Sequence, residues 1–320
     1  MKRILMSTLI ILCSAAMTAK AEYPDRIIRL VVPTAPGGGS DTVGRLLAQK
    51  LGEALNGNVV VENKPGAGGL IGTQDLLRAP ADGYTLLLAT SSTHGINPWL
   101  YPDAGYDVKK DFTAVSILAT TDYGLAVQKS SPYQSLEDLL AAAKKDQVNY
   151  GSSGVGNTGH LATELLAKDS GSKFDHVPYR AAMPALNGLL GGEITFIFEN
   201  TSLFTPYVKD QRLRLLGTTG AERSRITPDV PAIKEIVPGY EVIGWFALVA
   251  RSGAPAPVIE RLNQEVVKIL RMPDVVERLH SLGYEPAPRS VADSNAFVAS
   301  QLDTFGAMIK RAGITAAKAK

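Results

Sequence analysis

The stretch Ile27–Pro33 (IIRLVVP), followed by the loop Thr34–Asp41 (TAPGGGSD), indicates the fold of this chain. A β-branched hydrophobic run of this kind predicts a buried strand. The next segment predicts an amphipathic helix over 42–55, since one helical face collects Val43, Leu46, Leu47, Leu51, Ala54 and Leu55. The loop therefore joins a strand to a helix N-terminus, whose unpaired and positively polarised backbone N–H groups favour an anion.

A second stretch repeats this arrangement about 110 residues later. The strand-like residues Val148–Tyr150 lead into Gly151–His160 (GSSGVGNTGH) and then into another helix-like segment. One anion-binding loop is ordinary in α/β proteins. Two such loops predict a ligand with two anionic ends, or a ligand that is held between two lobes.

Strand-like and helix-like segments alternate along the rest of the chain. Further strands are predicted at 59–62, 84–89, 112–118, 125–128, 176–178, 194–198, 213–217 and 240–250, and further helices at 135–145, 257–270, 274–282 and 295–312. This alternation is typical of parallel sheets with helices on both faces. About 300 residues remain after the N-terminal segment, a length that favours two domains.

Residues 1–21 have the pattern of a secretory signal peptide. Lys2 and Arg3 precede the short apolar run Ile4–Met17, and Ala19–Ala21 is a small-x-small cleavage pattern. We therefore expect an exported protein. The only cysteine, Cys13, lies in this segment, so neither disulfides nor cysteine–metal chemistry is expected in the mature chain.

The charge balance argues against two classes of partner. The whole chain has 33 basic and 31 acidic side chains, and removal of Lys2, Arg3 and Lys20 leaves 30 basic ones. The basic excess therefore belongs to the predicted signal peptide. Nucleic acid and anionic membrane surfaces are not expected partners.

Ligands of open α/β sheets bind beyond the carboxyl ends of the strands, which places the candidate site there. These ends carry mostly Gly, Ser, Thr and Asn, at 34–41, 65–69, 90–93, 151–160, 179–180 and 199–200. Strong bases are scarce among them. Such a set of neutral hydrogen-bonding residues suits an oxyanion that is held by N–H and O–H groups.

The second loop also permits other interpretations. Gly154-x-Gly156-x-x-Gly159 matches the dinucleotide fingerprint, with Asp175 as the candidate ribose acid. A P-loop would require lysine where His160 stands. A tight strand–helix turn would need the same glycines without any ligand.

Enzymatic chemistry finds no support in the motifs. The chain has no G-x-S-x-G nucleophile elbow. The four histidines, His94, His160, His176 and His280, have no metal-ligand spacing, so neither a metal nor another cofactor is expected. Trp245 and Phe246 lie in a strand-like run and are expected in the core or at a crossover.

Several candidate side chains have an alternative structural role. Asp41 can complement the dipole of the first helix, and His160 can cap or pack instead of donating to an anion. Arg180 can pair with a carboxylate or remain a solvated surface residue. Asn200 is a better carboxylate contact than the neighbouring Glu199, because a second carboxylate repels an anion.

Motifs along the mature chain together resemble those of one known family. They are Tyr23–Pro24, Ile28–Pro33 with Pro36–Gly38, Val61–Gly69 (VENKPGAGG), Ala81–Leu86 (ADGYTL), Asn149–Gly154, His176–Tyr179, Leu189–Glu193, Pro228–Pro231 and Pro238–Glu241. The chain thereby resembles the Bug, or TctC-like, periplasmic solute-binding proteins of tripartite tricarboxylate transporters.

The resemblance implies an α/β fold of the periplasmic-binding-protein type (type II-like), with two lobes, crossover strands and a ligand cleft between the lobes. We expect one lobe at 22–122 with 245–320 and the other at 123–244. The implied function is capture of a small organic carboxylate by a periplasmic monomer that has no catalytic residues. The ligand is commonly a dicarboxylate, aliphatic or aromatic, and it passes to a large and a small integral membrane subunit. A sensor that signals to a membrane kinase and an exported α/β enzyme are the alternatives.

The resemblance also implies the ligand contacts. In the first lobe they are Thr34, Gly38, Ser40, Asp41, Thr90 and Ser91; in the second they are Ser152, Ser153, Asn157, Thr158, His160, Tyr179 and Asn200. Thr34 stands where many members have an aromatic residue, Gly39 is an additional glycine, and Glu199 stands where many members have Asp. The small Thr34 side chain predicts room for a longer or aromatic dicarboxylate.

Overall fold

In the computed structural model, residues 23–101 and 103–314 are described, so the predicted signal peptide 1–21 lies outside the described residues. The strands are β1 (Ile28–Val32), β2 (Val59–Asn63), β3 (Thr85–Thr90), β4 (Phe112–Thr121), β5 (Tyr123–Gln128), β6 (Val148–Ser152), β7 (Phe174–Pro178), β8 (Phe196–Asn200), β9 (Leu213–Thr218), β10 (Gly244–Arg251) and β11 (Tyr284–Pro286).

The helices are α1 (Gly39–Leu55), α2 (Leu70–Arg78), α3 (Asn97–Leu100), α4 (Leu136–Lys145), α5 (Thr158–Ser170), α6 (Ala182–Gly191), α7 (Thr201–Lys209), α8 (Ala256–Ile269), α9 (Pro273–Ser281) and α10 (Val291–Ala312). Short 3₁₀ turns occur at Ala67–Gly69 and Ile233–Glu235, and a π-helical segment occurs at Ser92–Ile96. None of the helices within the described ranges is long and apolar enough to cross a lipid bilayer.

The strands form two mixed sheets, where the sequence predicted parallel ones. The first sheet has the order β11-β4-β10-β3-β1-β2, and the second has the order β7-β6-β8-β5-β9. Three neighbouring strands run parallel in each sheet, namely β2-β1-β3 and β7-β6-β8. In the first sheet β10 lies antiparallel between β3 and β4, and in the second β5 lies antiparallel between β8 and β9.

These two antiparallel strands are the ones by which the chain passes between the sheets. β4 ends at Thr121 and β5 begins at Tyr123, so the first crossing takes one residue. The chain returns from β9 through residues 219–243 to β10. The crossings lie side by side, because Thr219 N donates to Tyr123 O at 2.8 Å and Gly244 pairs with Thr121. The residue limits expected for the two lobes, 22–122 with 245–320 and 123–244, stay a prediction.

The core extends across both sheets through the C-terminal helix. On one face of the first sheet, α1 and α8 bury Leu47 and Leu262 against the strands. On the other face, α10 packs against both the Ser92–Ile96 segment and α5 of the second lobe. Phe305 of α10 is 1% exposed and belongs to the same buried cluster as Leu165 of α5. The arrangement leaves the loops at the carboxyl ends of the parallel strands facing one another.

Candidate functional site

A cleft of about 1110 Å³ lies between the two lobes. The strand-end loops line it, at 33–40, 65–69, 90–93, 178–184 and 199–200, together with parts of 153–159. Ten of the thirteen predicted contacts are among these residues: Thr34, Gly38, Ser40, Thr90, Ser91, Ser153, Asn157, Thr158, Tyr179 and Asn200. Asp41, Ser152 and His160 are not part of the lining.

Four helices begin at this cleft without a side-chain cap. Their N-cap residues all line the cleft, and within the described ranges none of the four N-cap side chains accepts a hydrogen bond from the first turn: Gly38 of α1, Gly69 of α2, Ala181 of α6 and Asn200 of α7. In α2 the first N–H, that of Leu70, is bonded to Ala67 O of the preceding 3₁₀ turn. The first N–H groups of a helix are unpaired within the helix and carry partial positive charge. The cleft therefore offers hydrogen-bond donors to an anion from both lobes.

Asp41 supports the first loop from behind. Its carboxylate is 4% exposed and accepts from Gly37 N at 3.0 Å, Arg45 Nε at 3.0 Å and Asn63 Nδ2 at 2.9 Å. Burial opposes ionisation, but these hydrogen bonds outweigh it and lower the pKa of Asp41. Asp41 thus holds the loop and does not line the cleft, and its role as a ligand contact stays a prediction.

In the second loop, Ser153 and Asn157 form a chain of hydrogen bonds at the cleft surface. Asn157 caps α5 by accepting from His160 N at 2.6 Å, and its Nδ2 donates to Ser153 Oγ at 2.5 Å. Ser153 Oγ in turn donates to Glu199 Oε1 at 2.5 Å. Thr158 Oγ1 lies 2.9 Å from Ser91 Oγ, so a hydroxyl pair connects the two lobes across the cleft.

Ser152 and His160 lie beneath this loop rather than in the cleft. Ser152 is fully buried, and its Oγ is 2.6 Å from His176 Nε2. The His160 and His176 rings stack with centroids 4.3 Å apart. Burial lowers the pKa of His160 to about 3 and that of His176 to about 4, so both rings are neutral near pH 7. The packing alternative for His160 therefore replaces the predicted anion contact.

Charged side chains are scarce in the cleft. Among the described residues, Arg180 is the only basic side chain of the lining, and it is exposed at the rim. Glu199 is the only acidic one and is 5% exposed. Burial raises the pKa of Glu199, and hydrogen bonds from Ser153 and the Asn200 backbone oppose this shift. Neutral hydrogen-bond donors thus dominate the cleft.

Six aromatic residues of the lining were not predicted as ligand contacts, and three of them stand at the crossings or at the edge of the first sheet. Tyr123 stands at the first crossing between the lobes, Trp245 stands at the start of β10, and Tyr284 begins β11. The Tyr284 hydroxyl comes so close to Gly39 that a methyl group there would overlap it. The sequence predicts ligand contacts at the ends of parallel strands. These three residues belong instead to the crossings and to an antiparallel edge. The one signal in the sequence that pointed to these residues was the expected position of Trp245 at a crossover.

The glycine pattern of the second loop is explained by the turn and by packing. Gly154 and Gly156 have φ of +128° and +80°, which favour glycine. A methyl group on Gly159 would overlap the carbonyl oxygen of Phe198 in β8. Asp175, the candidate ribose acid, bonds Gln147 instead and does not line the cleft. The described residues contain no group of three His, Cys, Asp or Glu side chains that could hold a metal ion.

Known proteins match the chain in sequence and in structure. A family model described as "Tripartite tricarboxylate transporter family receptor" (TctC) matches residues 43–314. Protein BugT of Bordetella pertussis (strain Tohama I) is 32% identical over 303 residues, which are 93% of this chain and 93% of BugT.

Two solved structures have a similar fold. R. palustris Rpa4515 with adipate matches with a TM-score of 0.89 and 34% identity, over 92% of this chain and 100% of that chain. MatC (Rpa3494) from Rhodopseudomonas palustris with bound malate matches with a TM-score of 0.83 and 28% identity, over 90% of this chain and 100% of that chain. These matches confirm the predicted two-lobed α/β fold.

Proposed function

Since this chain belongs to the family of tripartite tricarboxylate transporter receptors (TctC), we propose that it holds a small organic dicarboxylate between its lobes and presents it to a membrane transporter. The family predicted from the sequence motifs is confirmed, and the chain is a carboxylate-binding receptor. The family is one of solute-binding receptors, and we propose that this member has no catalytic activity of its own.

The observation that carries this proposal is the set of four uncapped helix N-termini around one cleft. Gly38 and Gly69 belong to the first lobe, and Ala181 and Asn200 belong to the second. Carboxylate oxygens accept hydrogen bonds from such N–H groups and gain from the helix dipoles. Donors on both lobes support a ligand with a carboxylate at each end.

Two structural neighbours support the dicarboxylate class, since one was solved with adipate and the other with malate. The cleft of about 1110 Å³ lies just above the usual range for small-ligand sites, about 300–1,000 Å³. We propose that it accepts diacids longer than four carbons, or aromatic ones, as the small Thr34 side chain predicts.

We assign the ten predicted residues that line the cleft to ligand binding. Ser40 and Thr34 would hold one carboxylate with the α1 N-terminus, while Thr158 and Asn200 would act from the second lobe. Arg180 at the rim supports attraction of the anionic ligand. The proposed partners are the large and small membrane subunits of the transporter, and the proposed location is the periplasm, after removal of residues 1–21.

Titration calorimetry on residues 22–320 tests the proposal with adipate and malate as probes. We expect both diacids to bind, and the uncharged diamide of adipate not to bind, because it lacks the carboxylates. Failure of both diacids and of longer or aromatic ones to bind would refute the proposed function.

A matched pair of variants tests the position of the site. Thr158→Val removes a hydroxyl from the cleft and should weaken adipate binding by about 1–2 kcal/mol, or roughly 5–30-fold. Thr163→Val removes a buried hydroxyl of the same helix that does not line the cleft and that donates to Gly159 O at 2.9 Å, and it should leave affinity unchanged. Equal effects of the two variants would place the ligand elsewhere.

A further inference from the structure

Three residues that line the cleft carry a buried polar atom without a partner among the described residues. The atoms are Thr34 Oγ1, Asn200 Oδ1 and Trp245 Nε1. An indole N–H can only donate and an amide oxygen can only accept. A ligand that completes these hydrogen bonds must therefore supply an acceptor to Trp245 and a donor to Asn200.

Glu199 adds a second acceptor next to Asn200. Its side chain is 5% exposed, and the cleft-lining wall includes it. Among the residues that the structure describes, the one side-chain donor to its carboxylate is Ser153 Oγ, which donates to Oε1 at 2.5 Å. Within residues 23–101 and 103–314, no Lys, Arg or His lies within salt-bridge distance of Glu199.

Two tyrosines, Tyr123 and Tyr284, lie close enough to Glu199 for its charge to add to the rise in pKa that burial causes in each phenol. In the described part of the chain, neither hydroxyl is hydrogen-bonded to the Glu199 carboxylate, whose side-chain donor is Ser153 Oγ. Asn200 Oδ1 beside it is a buried acceptor without a partner. Such an acceptor is costly, so a donor on the ligand would be favoured at this point.

We propose that Glu199 and Asn200 recognise a hydrogen-bond donor, a hydroxyl or an ammonium group, on the carbon chain between the two carboxylates of the ligand. The inference rests on the proposed function, since it names which dicarboxylates the same cleft prefers. The carboxylates, which only accept, pair with the helix N-termini and with Trp245. The substituent, which donates, pairs with the acceptors at the carboxyl end of β8. The preferred ligand class is therefore the hydroxy- or amino-substituted dicarboxylate.

Calorimetry with a matched series of acids tests this inference on the unchanged chain. Succinate, malate and aspartate share one carbon skeleton, and so do glutarate, 2-hydroxyglutarate and glutamate. In at least one series we expect the hydroxy or the amino acid to bind about tenfold or more tighter than its unsubstituted parent, the usual effect of a hydrogen bond to a charged group. The tighter of the two substituted acids identifies the donor.

Glu199→Gln tests the residue assignment, because the amide keeps the shape and replaces one acceptor by a donor. The preference for the substituted acid should fall to about onefold, with binding of the unsubstituted parent retained. Glu137→Gln, which changes an exposed acidic residue of the same lobe outside the cleft lining, should keep the full preference.

The outcomes distinguish a failure of the inference about Glu199 and Asn200 from a failure of the proposed function. If diacids bind and the unsubstituted parents bind as tightly as the substituted acids, the inference is wrong and the proposed function stands. If Glu199→Gln keeps the preference, another residue recognises the substituent and the inference is wrong for Glu199. If no diacid of either series or of the longer and aromatic classes binds, the proposed function itself fails.

Discussion

Gly159→Ala is expected to destabilise the protein and to disturb the cleft at the same time. The new methyl group would lie well inside van der Waals contact of the carbonyl oxygen of Phe198, and 3.3 Å from its carbonyl carbon. That oxygen belongs to the backbone of β8, so α5 must move by about 1 Å to relieve the overlap. Overpacking of this kind costs about 1–3 kcal/mol, against a gain in helix propensity of at most about 1 kcal/mol.

Urea denaturation of the variant should therefore give a free energy of unfolding about 1–2 kcal/mol below that of the unchanged chain. Adipate affinity should fall as well, because Asn157 and Thr158 move with the start of α5. Gly191→Ala is the matched control, since it also lies in a helix and a methyl group there meets nothing within 4 Å. Equal stability of the two variants would show that α5 does not depend on close contact with β8.

Two other predictions follow from burial and close packing. Gly39→Ala would overlap the Tyr284 hydroxyl, so adipate affinity measured by calorimetry should fall about tenfold. Gly191→Ala, which gains no contact within 4 Å and lies outside the cleft lining, should bind normally, and equal affinities of the two variants would contradict this. Burial lowers the pKa of His94 to about 3, so its neutral form stabilises the fold above pH 6.5 and this contribution is lost as pH falls towards 3. Between pH 7.5 and 5, the free energy of unfolding measured in urea should fall in the unchanged chain. In His94→Phe this fall should be smaller by about 2 kcal/mol, and an identical fall would show that His94 is not responsible.

Local patterns were sufficient to predict the two loops. The β-branched run before Thr34 and the helical periodicity after Asp41 depend only on neighbours in the chain, and the structure has β1 and α1 in these places. Asp41 does not line the cleft because a side chain in the first helical turn points back towards the N-terminus, here onto Gly37 and the loop interior. The sequence pattern identifies the turn but not the direction of the side chain.

Long-range pairing explains what the sequence did not reveal. Tyr123 and Trp245 reach the cleft because β5 and β10 are inserted antiparallel next to the parallel strands β7-β6-β8 and β2-β1-β3. Nothing in the composition of these strands distinguishes an inserted strand from a parallel one, since both are buried on two faces. The mixed sheets were therefore not predictable from periodicity.

The C-terminal helix links the two lobes away from the cleft. α10 contacts the first lobe at Ser92–Ile96 and the second at α5, and Arg311 Nη2 lies 3.0 Å from Asp169 Oδ2 at its far end. None of its residues lines the cleft. We therefore expect α10 to act as a pivot if the lobes separate, so that the cleft would open on the side where Arg180 stands. A change in the length of α10 would then alter the opening angle without touching any ligand contact.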